Sequence, residues 1–527
     1  MKKKITYIPL KNIYIKSVFV FQFILIIANA SGQTVLPATL NCNETLALSG
    51  SPYTVNNTIT IAPGCNLTVE AGVEIKMAEN THLIVKGKVD FLGTASQPIL
   101  IHAKDTIWGN ILLDSTVHLK STFNYVNIEN GRFNVDSTTM RAVIYGYFSS
   151  FEVKNCNFKN NLRCIYSYRC SDILIKNCLL DSTNRGEKIL TQYADQVTID
   201  NCKLYYTAGD ADVIDFDGSS NIIISNNLLY GGGDDGIDLG HAIDPNVPDS
   251  TGCTNVTISG NVIFNMFNKA VSNGENAANI NINHNVMVNC GWGIGAKAGA
   301  NVVADHNTIY KCHNGVKAYD HFDAWGPGHI TVTNSIIVGC DTTWFRDSTA
   351  SLSVSYSLSD STLISGTGNI QAADPLFVSA SFIPRFDSLL HLINTPSIIA
   401  SSNFHLQPNS PAVNTGDPAF ANDPDGSRSD IGRYYLGQTL GIVSHQHPEE
   451  VVVYPNPSNG LFKLSLVPDY SMNQLVIVNS IGQVLHKKQF YGDKTEYSVD
   501  INTQSPGVYY LQLISEANTS IKKIIIY

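Results

Sequence analysis

Between Asp210 and Gly240 the chain reads D-A-D-V-I-D-F-D-G-S-S-N-I-I-I-S-N-N-L-L-Y-G-G-G-D-D-G-I-D-L-G. Aspartates stand at 210, 212, 215, 217, 234, 235 and 238 in a sequence whose charged fraction is only 15%. Carboxylates held close together repel, and some stay protonated unless a cation or a basic group balances them. Ca²⁺ suits such a patch because it gathers about six to eight oxygens from carboxylates, carbonyls and water. Downstream lie Lys269 and Lys297, amines able to take a proton once their basicity is lowered. The chemistry on offer is cation binding joined to proton abstraction, if the fold brings these residues together.

The elements that must do so repeat. F-E-V-K-N-C-N-F at 151 recurs as I-L-I-K-N-C-L-L at 173, V-T-I-D-N-C-K-L at 197 and I-I-I-S-N-N-L-L at 222. It continues as V-T-I-S-G-N-V-I at 256, I-N-I-N-H-N-V-M at 280, V-V-A-D-H-N-T-I at 302 and I-T-V-T-N-S-I-I at 330. The steps are 22, 24, 25, 34, 24, 22 and 28 residues, the range of a solenoid repeat. Each unit is a short alternating strand, a polar turn and a second apolar pair, with no helical stripe.

These phrases resemble the right-handed parallel β-helix repeat family over roughly residues 55 to 345. The resemblance implies an all-β solenoid with like positions stacked about 4.8 Å apart. Asn155, Asn177, Asn201 and Asn226 then form one ladder at the bend. Cys156, Cys178 and Cys202 form the next, continued by Asn227, Asn261, Asn285 and Asn307. Those cysteines read as a buried stack of free thiols, and only Cys42 with Cys65 suggests a bridge.

Aligning coils on the apolar residue before each strand phrase puts Ile165, Ile214, Ile237, Val271, Ile294 and Val316 in one inward ladder. Two positions earlier stand Asp212, Asp235 and Lys269. One position later stand Asp215, Asp238, Ser272, Gly295 and Lys317, and three later Asp217, Gly240, Gly274 and Lys297. This register places Asp215 against Asp238 and Asp235 against Lys269. The expected metal set is Asp215, Asp234, Asp235 and Asp238. Glu275, Trp292, Lys317, Tyr319, His321 and Trp325 fall near the same face. The insertion 241–253 overhangs it.

G-D-D-G-I-D resembles the Ca²⁺ site of the family 9 polysaccharide lyases, in which an aspartate of the preceding coil joins the ion and a lysine removes the proton. That resemblance implies Ca²⁺-assisted β-elimination on a uronate-containing polysaccharide, with Lys269 as the first candidate base, Lys297 as the second, and Glu275, Trp292, Lys317, Tyr319, His321 and Trp325 as candidate sugar contacts. Neutralising the carboxylate makes the neighbouring C5 proton acidic. The sequence departs from the pattern in the next coil, which carries Ala270-Val271-Ser272-Asn273-Gly274 where the family has its lysine. The same phrase is similar to the aspartate core of polygalacturonase-type hydrolases, although their His-Gly coil is replaced by Asn268-Lys269-Ala270. A non-catalytic carbohydrate-binding or adhesion protein with a structural ion is the third reading.

At the start, Lys2, Lys3, Lys4, Lys11 and Lys16 precede the apolar run Val18 to Ile27 and Ala28-Asn29-Ala30, the pattern of a secretory signal over residues 1–30. The run is too short to span a membrane, and no later stretch is apolar enough to do so. The β-helix is expected over 31–372, a cap over 373–443 and a linker over 444–451. In the cap, Asp423, Asp425 and Asp430 suggest either a Ca²⁺ ligand set or an Asx-rich turn. Residues 452–527 carry V-V-V-Y-P-N-P-S-N-G-L-F, P-G-V-Y-Y-L-Q-L and a basic-apolar terminus, and closely resemble the type A sorting domain of the type IX secretion system. That implies a small β-sandwich, passage through that machinery, and a secreted or outer-surface location. The net charge of −10 argues against a nucleic-acid partner, and a monomer is expected.

Overall fold

The computed structural model describes residues 33–132, 142–181, 186–205, 207, 209–240, 252–321, 325–361, 365–371, 373–380, 402–437, 451–466, 474–479, 484–489, 496–514 and 519–527. The expected signal segment 1–30, most of the expected linker 444–451 and positions 241–251 of the insertion lie outside these. The chain divides into two compact units, residues 1–438 and 439–527.

In the first unit the described residues build three parallel sheets of 14, 12 and 13 strands. Each coil visits them in turn, as in Phe151–Lys154, Asn157–Lys159 and Ile165–Tyr168. The next coil repeats the path one rung on, with Ile173 opposite Phe151 and Leu179 opposite Asn157. Alternation sends every second residue inward, so β-branched side chains stack into a continuous core.

Two ladders hold the bend between the 13- and 14-stranded sheets. Asn155, Asn177, Asn201 and Asn226 adopt φ of 53–57°, the left-handed region in which asparagine is among the better-tolerated residues. Asn177 donates to Asn155 Oδ1 at 3.0 Å, and Asn201 to Asn177 Oδ1 at 2.8 Å. Beside them Cys202 N–H donates to Asn227 Oδ1, Asn227 N–H to Asn261 Oδ1, Asn261 N–H to Asn285 Oδ1 and Asn285 N–H to Asn307 Oδ1, all at 2.8–3.0 Å. Cys156, Cys178 and Cys202 are free and buried, and Cys42 is bridged to Cys65.

The inward ladder of the 12-stranded sheet runs Ile144, Ile165, Ile189, Ile214, Ile237, Val271, Ile294 and Val316. All eight are fully buried. Ile189 belongs between Ile165 and Ile214, a rung that the alignment of phrases passes over. Every other expected neighbour in the ladder is in register.

The segment 402–437 does more than follow the last coil. Phe377–Ser379 pairs antiparallel with Asn403–Leu406, and Phe377, Phe404, Leu406 and Ile431 pack on Tyr310, Val288, Ile336 and Leu358. The outward positions of the 14-stranded sheet are apolar there, so the cap residues cover its side. Arg433 is anchored by donating to the carbonyls of Asn261 and Gly260 at 2.6 and 2.7 Å.

The second unit is a small all-β domain. One antiparallel sheet holds Val451–Tyr454, Leu461–Leu466 and Glu496–Asp500. The other holds Gln474–Asn479, Val484–Gln489, Gly507–Ile514 and Thr519–Ile526. Phe462, Leu464 and Val499 of the first share a core with Leu475, Ile477, Leu511 and Ile524 of the second.

Candidate functional site

On the outer face of the 12-stranded sheet, Asp215 opposes Asp238, Asp238 opposes Ser272, Ser272 opposes Gly295 and Gly295 opposes Lys317. At the entrance to these strands a second file runs through main-chain bonds. Asp235 N–H donates to Asp212 Oδ1 at 2.8 Å, and Lys269 N–H to Asp235 Oδ1 at 2.6 Å. Parallel pairing of short strands is what brings residues from three coils onto one patch.

Carboxylate oxygens of Asp212, Asp215 and Asp238 lie within 4.8 Å of one another, and so do those of Asp212, Asp234 and Asp235. The two sets share Asp212, which the expected ligand group omits. Its position in a turn, two residues ahead of the ladder, hid how far its side chain turns toward Asp238. Burial raises the Asp212 carboxyl to about 9, with Asp238 and Asp235 adding to the effect. Asp215 is pushed well above the ordinary range by burial, then by Asp217 and Asp238. Asp235 rises to about 7 through burial, against the opposing charge of Lys269. Asp238 Oδ1 is buried without a hydrogen-bond partner.

These features fit a hard divalent cation. Oxygens bound to one Ca²⁺ at about 2.3–2.6 Å lie no more than about 5 Å apart, and an orphaned carboxylate oxygen is the acceptor such an ion satisfies.

The lysines occupy different settings. Lys269 Nζ lies 3.1 and 3.3 Å from the Asp235 oxygens, and the two side chains are 6% and 5% exposed. Its stem crosses Gly295, where a Cβ would stand 2.8 Å from Lys269 Cδ. Lys297 crosses Gly274 in the same way, its Nζ 3.9 Å from Glu275 Oε1 and its side chain 19% exposed. At Gly240 a Cβ would stand 3.1 Å from Asp217 Oδ1 and 3.5 Å from both Asp238 Oδ2 and Glu275 Oε2. Gly240, Gly274 and Gly295 thus let the neighbouring carboxylates and lysine stems lie close against the sheet.

Lys317 Nζ sits 3.6 Å from the Trp292 ring centroid, 4.4 Å from Tyr319 and 5.0 Å from Phe345. Burial, then Lys269, lowers its pKa. Trp292 meets Tyr319 edge to face at 5.4 Å. Burial raises the Tyr319 hydroxyl to about 12, with Lys297 opposing and Asp235, Asp238 and Glu275 adding. His321 is exposed and touches Tyr319 at 6.3 Å, while the main chain of Trp325 lies against Gly299. In the cap, Asp423 accepts from Asp430 N–H, Asp425 from Ser427 and Asp430 from Asn414 and Leu436. These carboxylates serve as turn acceptors.

Residues 141–296 match the family model for the right handed beta helix region, and residues 452–527 match that of a secretion system C-terminal sorting domain. Together with the sheets described above, these define an all-β, right-handed parallel β-helix followed in sequence by a small β domain. The particular tail is that of type IX secretion, which carries its cargo to the cell surface or extracellular space. No curated protein matches the sequence. Among solved structures, a periplasmic alginate epimerase is similar over 57% of this chain and 76% of its own, with 12% identity and a TM-score of 0.48. A pectate lyase is similar over 71% and 88%, with 16% identity and a TM-score of 0.37. The catalytic domain of an α-1,3-glucanase covers 60% and 69%, with 14% identity and a TM-score of 0.29. No helix among the described residues is long and apolar enough to cross a membrane.

Proposed function

We propose that the β-helix binds a uronate-containing polysaccharide across a Ca²⁺ site and cleaves it by β-elimination. The observation that carries this reading is the convergence of Asp212, Asp215 and Asp238 within 4.8 Å, with the Lys297–Glu275 pair close by, over Gly274 and Gly240. Asp212, Asp215 and Asp238 would hold the ion, with Asp234 and Asp235 at its flank. When bound, the ion supplies the positive charge that neutralises the sugar carboxylate and stabilises charge developing on it.

Lys297 is the base in this reading. Lys269 is committed to Asp235 and buried, so it serves to balance the acidic coil, whereas Lys297 is more open and its stem lies over Gly274. In its amine form Lys297 takes the C5 proton, the electron pair becomes the C4–C5 double bond, and the bond from C4 to the glycosidic oxygen breaks. The leaving oxygen needs a proton, and in this reading Tyr319, whose hydroxyl burial raises to about 12, supplies it. Trp292, Lys317 and His321 extend the surface beyond Tyr319 as sugar contacts.

The second reading, binding without turnover, draws on the Lys269–Asp235 ion pair, since the lysine nearest the acidic coil is occupied. Release of unsaturated uronate ends, dependent on Ca²⁺ and on Lys297, separates the two.

A further inference from the structure

In three successive coils just upstream of the acidic ones, the chain leaves the 12-stranded sheet through a large residue in the left-handed conformation. Phe148, Arg169 and Tyr193 hold φ of 46, 50 and 54°. They stack in register, Phe148 N–H donating to Tyr168 O at 3.0 Å, Arg169 N–H to Gln192 O at 2.9 Å and Tyr193 N–H to Asp217 O at 2.9 Å. Gly218 takes the next rung at φ 51°, its N–H on Gly240 O. A bulky side chain in this conformation costs about 1 kcal/mol that glycine avoids, so large residues at three consecutive rungs point outward at a price the fold alone does not require.

Their side chains form a framed cation. The Arg169 guanidinium carbon lies 5.8 Å from the Phe148 ring centroid and 5.6 Å from those of Tyr168 and Tyr193, and its Nε donates to Tyr168 Oη at 3.2 Å. Tyr168 stacks on Tyr147 at 5.7 Å and 6°. Tyr147 and Phe148 are 37% and 38% exposed, high values for rings that size. The patch is continuous with the acidic site, because Tyr147, Tyr168, Gln192 and Asp217 oppose one another in succession and Gln192 Nε2 donates to Asp217 Oδ2 at 2.8 Å. Arg169 is two rungs from the coil of Asp215, roughly 10 Å along the solenoid.

We infer that Arg169, with Tyr147, Phe148, Tyr168 and Tyr193, forms a distal subsite that takes a second carboxylated sugar of the same chain, an inference that rests on the uronate reading above. The guanidinium presents a planar fork matched to a carboxylate, and the rings offer apolar surface to a pyranose. The two ends of the face then differ in kind. Near Asp212, Asp215 and Asp238 a polyanion is repelled until a cation intervenes, whereas at Arg169 attraction needs no ion.

The test is affinity electrophoresis of the full chain through gels containing polygalacturonate or alginate, in chelator, against the same polymers with their carboxylates reduced to alcohols. The wild type should be retarded by a carboxylated polymer, Arg169→Ala should bind it about tenfold more weakly, and Arg169→Lys should fall between. Reduced polymers should not distinguish the three. Melting temperature screens each variant for folding, and Arg169→Gln replaces Arg169→Ala if the latter unfolds early. Equal retardation of a folded Arg169 variant and the wild type, or no retardation of the wild type in chelator, overturns the subsite. Arg169-dependent retardation in a protein that releases no unsaturated product overturns the lyase reading and leaves the subsite standing.

Discussion

The main-chain N–H of Asp235 donates to Asp212 Oδ1 at 2.8 Å, tying one acidic coil to the next through the carboxylate common to both groups of converging oxygens. Asp212 therefore ties the two acidic coils together and would supply a ligand to the proposed ion. Asp212→Asn keeps the shape and an acceptor but removes the charge. It should weaken Ca²⁺ binding by at least tenfold in isothermal titration calorimetry, with Asp238→Asn similar and Asp210→Asn near wild type.

The same crowding sets a pH dependence. Asp212 has an ordinary value of 3.8 and is raised to about 9 in the folded protein, so between these limits the folded state binds more protons than the unfolded one. Stability of the ion-free protein then falls as pH rises through that window. Asp235 adds a fall between 3.8 and about 7. Melting temperature in chelator should decline from acid to alkaline pH, and Ca²⁺ should flatten the decline by replacing the protons. Calorimetry in buffers of different ionisation enthalpy should register proton release on Ca²⁺ binding.

Lys269 and Lys297 should separate stability from activity. Lys269→Ala leaves Asp235 buried without its cation, a loss of about 3 kcal/mol measurable by chemical denaturation. Lys297→Ala should unfold within about 0.5 kcal/mol of wild type while losing turnover.

The bend ladder makes a prediction about the scaffold. Asn261 is fully buried, accepts from Asn227 N–H and donates to Ile224 O at 2.9 Å each. Asn261→Ala leaves both partners unsatisfied and should cost about 3 kcal/mol in denaturant unfolding. Asn261→Cys, matching Cys202 on the same ladder, should cost less.

Much of this was legible in the residues because a parallel solenoid converts sequence spacing into stacking. The strand phrases place Ile214 beneath Ile237 and hence Asp215 against Asp238, since alternation fixes which side chains face out. Turns are harder to read. Asp212 precedes its strand, where no alternation dictates direction, and its approach to Asp238 depends on a loop path. The Phe148, Arg169 and Tyr193 column went unseen because tyrosine and phenylalanine near strands read as core, and only the left-handed bend turns them out. The cap residues look like a plug for the last coil, yet the apolar outer face of the 14-stranded sheet, with Tyr310 and Leu358, draws them to its side.

The central claim is tested most directly by following the ultraviolet absorbance of unsaturated uronate while the full chain acts on polygalacturonate and alginate, with Ca²⁺ and with chelator. The account predicts a rise with Ca²⁺ that chelator, Asp212→Asn and Lys297→Ala each abolish. A flat trace on both polymers with Ca²⁺ present, from protein that binds the ion and is folded, would contradict it.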